Sequence, residues 1–193
     1  MYARAEESPN YCKIISSRHL LRLTRLLENA KEQGARVETG GETDNSRQYF
    51  APTILSNLSK DAEILNEEIF GPILPVVPYR NLDDAIAFVN SKPRPLSLYI
   101  FSTNSTVIET ILQRTHSGGV CINDVAVHFA NVELPFGGMN NSGIGNSHGY
   151  FGFRAFSHER AVLKQPKHGV ITFFYPPYTE KMKKLIAWTI RYL

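Results

Sequence analysis

The sequence predicts an α/β fold with a largely parallel sheet, on three observations. Apolar residues recur at helical spacing between Arg18 and Gln33, short apolar runs closed by Gly and Pro follow, and from Asn81 to Asn123 helical and extended patterns alternate. The 193 residues suffice for one domain with a sizeable core, or for a portion of a larger protein.

The elements follow in order. Met1 to Asn10 is polar, with Ser8-Pro9-Asn10 as a turn signal, and reads as a connection already under way. Ser17 is the expected N-cap of a helix over Arg18 to Gln33. Its apolar stripe is Leu20, Leu23, Leu27 and Ala30, widened by Leu21 and Leu26, and Gly34 stops it. Arg36 to Thr39 is expected as a short strand closed by Gly40-Gly41. Tyr49 to Leu55 is extended, although Pro52 keeps it from being an ordinary central strand. Ile73 to Val77 is a further apolar strand. Asn81 caps a helix over Leu82 to Asn90, with Asp83 and Asp84 in its first turn. Leu96 to Phe101 is a strand, Ser105 to His116 a helix, and Val120 to Asn123 a strand after the Gly118-Gly119 stop. Arg154 to Lys164 alternates again with charges interleaved, the pattern of an exposed or edge strand that wants a partner. Thr179 to Leu193 is a basic amphipathic helix, with Met182, Leu185, Ile186, Thr189, Ile190 and Leu193 on one side, expected to dock on protein or lie on a membrane surface.

Composition narrows the partners. Lys plus Arg number 21 against 18 Asp plus Glu, so the net charge of +3 is too small and scattered for a nucleic-acid groove. Cys12 and Cys121 lie in unlike contexts, which implies neither a disulfide framework nor zinc, and the six histidines show no ligand spacing, so no metal is expected. A reducing, cytoplasmic setting is the expectation. No apolar run approaches the ~18 residues that would span a bilayer.

Two stretches carry chemistry. In Asn66-Glu67-Glu68-Ile69-Phe70-Gly71-Pro72, two carboxylates precede a ring and a forced turn at the mouth of a strand. The carboxylates read either as solvated charges or as acceptors for a diol such as a ribose, and Phe70 either as core or as a platform for a flat ring. The stretch Pro135 to Gly145 holds four glycines in the nine residues from Gly137, a density kept for function or for tight backbone packing. Gly143, Gly145 and Gly149 miss the dinucleotide fingerprint, because the third glycine would fall at His148 and no strand-to-helix context surrounds them. Cys121 reads as a buried, inert thiol, and Cys12 has no base placed near it. His128, beside Phe129, is retained as a pocket wall.

Three motifs then match one family in order. Glu67-Glu68-Ile69-Phe70-Gly71-Pro72, Ser117-Gly118-Gly119-Val120 with Asn123-Asp124-Val125, and Pro135-Phe136-Gly137-Gly138 with Ser142-Gly143-Ile144-Gly145 resemble the C-terminal motifs of the aldehyde dehydrogenase superfamily. Lys13-Ile14-Ile15-Ser16, His148-Gly149, Phe156-Ser157-His158 and Tyr175-Pro176-Pro177-Tyr178 resemble its class 3, the fatty and aromatic aldehyde branch.

The resemblance implies oxidation of an aldehyde to a carboxylic acid by cysteine attack, hydride transfer to NAD or NADP, and thioester hydrolysis. It implies Glu68 on the nicotinamide ribose, Phe70 beside the nicotinamide ring, and Phe136, with His128 and Phe129, lining the aldehyde funnel. It also implies that residues 1–150 are part of a catalytic domain, that 151–178 hold an oligomerisation strand, Phe156 to Lys164, which pairs two subunits, and that 179–193 form the terminal helix. The family's nucleophilic cysteine, general-base glutamate, oxyanion asparagine and cofactor-binding fold precede the matched region, so the expectation is the C-terminal portion of such an enzyme, inactive alone. The rival expectation is a non-catalytic truncated paralogue, an oligomerisation or membrane-surface module using the strand and the basic helix.

Overall fold

Five residues of helix α1 (Ser17–Glu32), Leu20, Leu23, Leu26, Leu27 and Ala30, form a stripe from which water is excluded. They pack on Phe50, Leu55, Ala62, Ile64 and Ile73, and this cluster is the core. The structure, a computed structural model, describes residues 4–167, 169, 171 and 174–192. Met1 to Ala3, His168 and the expected helix end at Leu193 lie outside the described residues.

The cap of α1 is Ser16, one residue before the expected Ser17. Its Oγ accepts from the His19 amide at 3.3 Å while its backbone stays extended. Both serines satisfy the cap preference, and the helix begins at the first position that puts Leu20 and Leu23 inward. Leu21, expected to widen the stripe, is 61% exposed.

Under α1 lies a three-stranded sheet of order β1 (Arg36–Thr39), β4 (Thr53–Ser56), β5 (Ile73–Pro75). β1 runs antiparallel to β4, and β4 runs parallel to β5 with Thr53 opposite Ile73. A small hairpin, β2 (Thr43–Asp44) and β3 (Tyr49–Phe50), stands between β1 and β4 in the chain. Pro52, with no amide to donate, splits the expected Tyr49 to Leu55 run into β3 and β4. The turn of the hairpin is closed by Asp44, whose carboxylate accepts from the Ser46 hydroxyl and amide and from Arg47, contacts that hold it well below the usual carboxylate range.

The parallel connection from β4 to β5 crosses over α1. It buries Ala62 and Ile64 through a 3₁₀ turn at Glu63–Leu65, then runs through residues 66–72 into β5. The stretch of interest therefore rests on the helix at the end of a crossover.

Helix α2 (Leu82–Asn90) is capped as expected by Asn81, whose Oδ1 accepts from the Asp84 amide at 2.9 Å. Next come β6 (Ser97–Ile100), α3 (Ser105–Arg114) and β7 (Gly119–Ile122), with β6 and β7 parallel in the register Ser97 to Gly119. The fold is α/β as expected. Helix α3 is capped by Asn104 and stops before His116, because Thr115 is extended and turns its hydroxyl back to the Ile111 carbonyl at 2.7 Å. Asn90 donates to the Arg114 carbonyl at 2.7 Å and joins the ends of α2 and α3.

The later chain departs from the pattern. Arg154 and Ala155 belong to a short helix α4 (Gly149–Ala155), not to a strand, and α4 crosses the expected division at residue 150. Residues 158–166 carry no ladder within this chain and are exposed. The alternation there is real, but a strand needs a neighbour to donate and accept, and the described residues supply none. Helix α5 (Glu180–Tyr192) has no buried residue, and no described helix is long and apolar enough to cross a membrane.

The core assignment predicts a sharp contrast on one helix. Leu23→Ala should lower stability by about 2–5 kcal/mol in chemical denaturation, whereas Leu21→Ala, a turn-sharing neighbour at the surface, should stay within about 0.5 kcal/mol. Equal effects would place the buried face elsewhere.

Candidate active site

Helix α1 grips the loop 66–72 from beneath. Gly71 sits so close to Leu23 that a Cβ there would come within 2.6 Å of both leucine δ carbons, so the position admits no side chain without displacing the core. Above Leu23, the Arg22 guanidinium donates to Glu67 Oε1 at 2.8 Å, to the Glu68 carbonyl at 3.1 Å and to the Ile69 carbonyl. One turn earlier, His19 Nε2 lies 2.8 Å from the Phe70 carbonyl. Arg25 adds contacts to Glu63 at 2.5 Å and to Glu67 at 3.9 Å.

These contacts separate the two carboxylates. Glu67 is committed to Arg22 and Arg25, while the exposed Glu68 uses its carbonyl on Arg22 and has no side-chain partner among the described residues. Phe70 adopts φ +47°, a left-handed conformation that costs a bulky residue about 1–3 kcal/mol. Its ring stands 74% exposed, edge-on to His19 at 6.1 Å. A carboxylate with free lone pairs and an open ring face, two residues apart, are what a ribose diol and a flat heterocycle would require.

A second group gathers at β6 and β7. After β7 the chain turns through Asn123 at φ +59° and Ala126 at φ +63° into a 3₁₀ turn at Val127–Ala130, which carries His128 and Phe129. The Phe136 ring lies 5.8 Å from His128, 6.1 Å from Phe129 and 5.5 Å from His148. Phe136 is held through its carbonyl, which accepts from the Ser147 amide at 2.7 Å. His148 is the member of this cluster that sequence reasoning missed as a site residue. Its signal was its place beside Gly149, but a contact across twelve residues of loop has no periodicity to reveal it.

His128 is partly buried beside β6. Its Nε2 lies 3.2 Å from the Ser97 hydroxyl, its ring meets Tyr99 at 6.0 Å, and its Nδ1 is buried without a hydrogen-bond partner among the described residues. Phe129 is half exposed, whereas Phe136, like His128, is partly buried.

The glycine-rich stretch serves packing. A Cβ at Gly137 would lie 2.1 Å from the Gly145 carbonyl oxygen, and one at Gly118 would lie 2.1 Å from that of Gly137, so the two glycine motifs touch backbone to backbone. The structure brings Glu68 and Phe70 together on one loop and Phe136, His128 and Phe129 together on another. No hydrogen bond, ion pair or ring contact joins the two groups among the described residues. An open cleft of about 950 Å³ lined by Lys60, Tyr79, Arg80, Phe88 and Lys92 touches none of these residues. Cys121 is buried in β7, and Cys12 is exposed.

The family model described as aldehyde dehydrogenase family matches residues 3–162. The probable coniferyl aldehyde dehydrogenase of Pseudomonas aeruginosa is 42% identical over 185 residues, which cover 96% of this chain and 39% of that protein. Aldehyde dehydrogenase family 3 member A2 of Rattus norvegicus is 44% identical over 184 residues, 94% of this chain and 36% of that protein. The substrate-bound structure of Staphylococcus aureus AldH superimposes with a TM-score of 0.79 at 38% identity, over 95% of this chain and 40% of that one. This chain thus spans 39% and 36% of the length of the two curated relatives. With the matched region running through both the Glu67 to Pro72 loop and the Phe136 cluster, the chain belongs to the aldehyde dehydrogenase family, and within it is class 3-like.

Proposed function

We propose that this chain forms one wall of the site of an NAD- or NADP-dependent aldehyde dehydrogenase that oxidises aldehydes to carboxylic acids. The observation that carries this reading is the division of labour between Glu67 and Glu68. Arg22 and Arg25 take the first carboxylate, and the second stays free beside an exposed ring. In this reading Glu68 accepts the two hydroxyls of the nicotinamide ribose, and Phe70 supports the nicotinamide ring. The bound nicotinamide would supply the hydride acceptor. Phe136 and Phe129 exclude water from the aldehyde's side chain, and His128 backs Phe136 from the β6 side.

The chain alone is inactive in this proposal. Oxidation in this family needs a thiolate activated by a nearby base, and neither cysteine offers one. Cys121 is buried in a strand and Cys12 is exposed, and no hydrogen bond joins either thiol to a histidine or carboxylate among the described residues.

Segment 156–164 is proposed to pair with a second copy of the chain. Phe156 is 94%, Val162 76% and Leu163 91% exposed around backbone that lacks a ladder, a combination that favours addition to another sheet edge. The same features would serve the non-catalytic oligomerisation module. For α5, the exposed Leu185, Trp188 and Ile190 support a peripheral membrane contact.

Three measurements test these statements. The purified chain, given aldehydes with NAD⁺ or NADP⁺, should produce no reduced cofactor, and reduction above the protein-free rate would refute the inactivity. In an NMR titration, nicotinamide mononucleotide should shift the amides of residues 66–71 with millimolar affinity, and Glu68→Gln should weaken binding by about tenfold, a change of about 1.4 kcal/mol. Shifts confined to other residues would remove Glu68 and Phe70 from the site. In sedimentation velocity the chain should run as a dimer and Leu163→Pro as a monomer; a monomeric parent chain, or a dimeric variant, would place the contact elsewhere.

A further inference from the structure

Three features of the molecule compete for attention once the wall of the site is assigned. The cleft between Lys60, Arg80 and Lys92 is open, and Lys92 is already engaged by Asn66 Oδ1 at 2.7 Å. The exposed apolar residues of 156–163 belong to the pairing already proposed. The third is the grip of Arg22 on the loop, which reaches further.

We infer that Arg22 is a positioning residue for the cofactor loop: its guanidinium, with His19, holds Phe70 in its left-handed conformation and thereby sets the free Glu68 carboxylate and the Phe70 ring for a nicotinamide nucleoside. The inference rests on the reading of Glu68 and Phe70 given above. It adds a residue of α1 that touches neither the nucleoside nor the aldehyde.

The geometry carries it. Arg22 makes three contacts to three consecutive residues, the side chain of Glu67 and the carbonyls of Glu68 and Ile69. His19 takes the next carbonyl, that of Phe70. Fixing consecutive carbonyls fixes the peptide planes between them, and with those planes fixed the φ of Phe70 has no freedom left. A phenylalanine at φ +47° would otherwise relax to negative φ, where its ring could fold onto Leu23 or the apolar face of α1 instead of standing 74% exposed. The planar fork of arginine suits this task, since a lysine ammonium cannot present parallel donors to a carboxylate and two carbonyls. The Arg22 side chain is 27% exposed, so its contacts are better shielded from water than those of Arg25, at 57%.

Glu67 has a smaller part. It supplies the counter-charge, but if it is removed the two carbonyl contacts of Arg22 remain. The two partners of one ion pair should thus behave differently, which a purely structural salt bridge would not do.

The experiment uses the full 193-residue chain and three variants, Arg22→Gln, Arg22→Lys and Glu67→Gln, with two readouts. The first is the strong amide-to-Cα proton contact within Phe70 that a positive φ gives in an NMR spectrum. The second is the nicotinamide mononucleotide titration. Arg22→Gln should lose the Phe70 signature and bind the mononucleotide about tenfold more weakly, Arg22→Lys should fall between it and the parent, and Glu67→Gln should keep the signature with a change below about twofold. Backbone amide spectra of α1 and β4 report whether each variant is folded. An Arg22→Gln chain that is folded and keeps the Phe70 signature overturns the inference, as does an equal effect of Glu67→Gln. Loss of the signature in Arg22→Gln, with no mononucleotide binding by the parent chain, upholds the positioning role and refutes the ribose assignment instead. If Arg22→Gln does not fold, Arg22→Lys decides: a parent-like signature and affinity overturn the inference, and intermediate values support it.

Discussion

Leu23 and Gly71 are in contact, and much of the molecule follows from that approach. The leucine belongs to the buried stripe of α1 that closes the core over β4 and β5, so its position is set by hydrophobic burial. Gly71 must then meet a fixed surface at a distance that excludes a Cβ. The chain therefore arrives at β5 along a path that leaves residues 67–70 lying across the next exposed turn of the helix, over His19 and Arg22. The same packing that stabilises the fold thus delivers the loop to the polar groups that orient it. Core and site share one helix, divided by face.

That arrangement explains why two adjacent glutamates have different fates. A crossover loop lying on a helix presents successive side chains to opposite sides, so one carboxylate turns down to the guanidinium and the other turns out to solvent. The paired Glu67 supplies the counter-charge to Arg22 and Arg25, and the exposed Glu68 keeps no side-chain partner among the described residues. An acidic pair in the sequence is, in three dimensions, one structural group and one group open to a ligand.

Much of this was legible in the residues. The α1 stripe, the Asn81 cap, the Pro52 interruption and the strands before and after α3 each rest on local physics acting over a few residues, and each appears where its pattern placed it, within a residue or two. The motifs singled out Glu68, Phe70 and Phe136 as candidates, but not what holds them. Nothing local in the sequence marks Arg22, because its three partners lie 45 to 47 residues away. His148 was missed for the same reason. The 154–164 stretch shows the opposite limit. Alternation specifies a surface suited to pairing, but α4 claims its first two residues, and the rest joins no sheet edge among the described residues.

Among the described residues, four that are neither glycine nor asparagine adopt positive φ, namely Gln48, Phe70, Ala126 and His148, and all but Gln48 lie in or beside the candidate groups. Phe70 at φ +47° and Ala126 at φ +63° are both non-glycine residues in a conformation that glycine or asparagine would adopt at less cost. Each lies in the turn that presents one of the two candidate groups, the first in the loop of Glu68, the second just ahead of His128 and Phe129. Folding stability gains nothing from a strained, exposed phenylalanine that a relaxed one buried on α1 would not exceed. The strain at residue 70 is instead offset by four contacts from α1, three of them to backbone carbonyls. Contacts spent on holding a ring away from the core make sense when that ring must meet a flat ligand from outside it, and this is the physical ground for reading the loop as a site and not as a decorated turn.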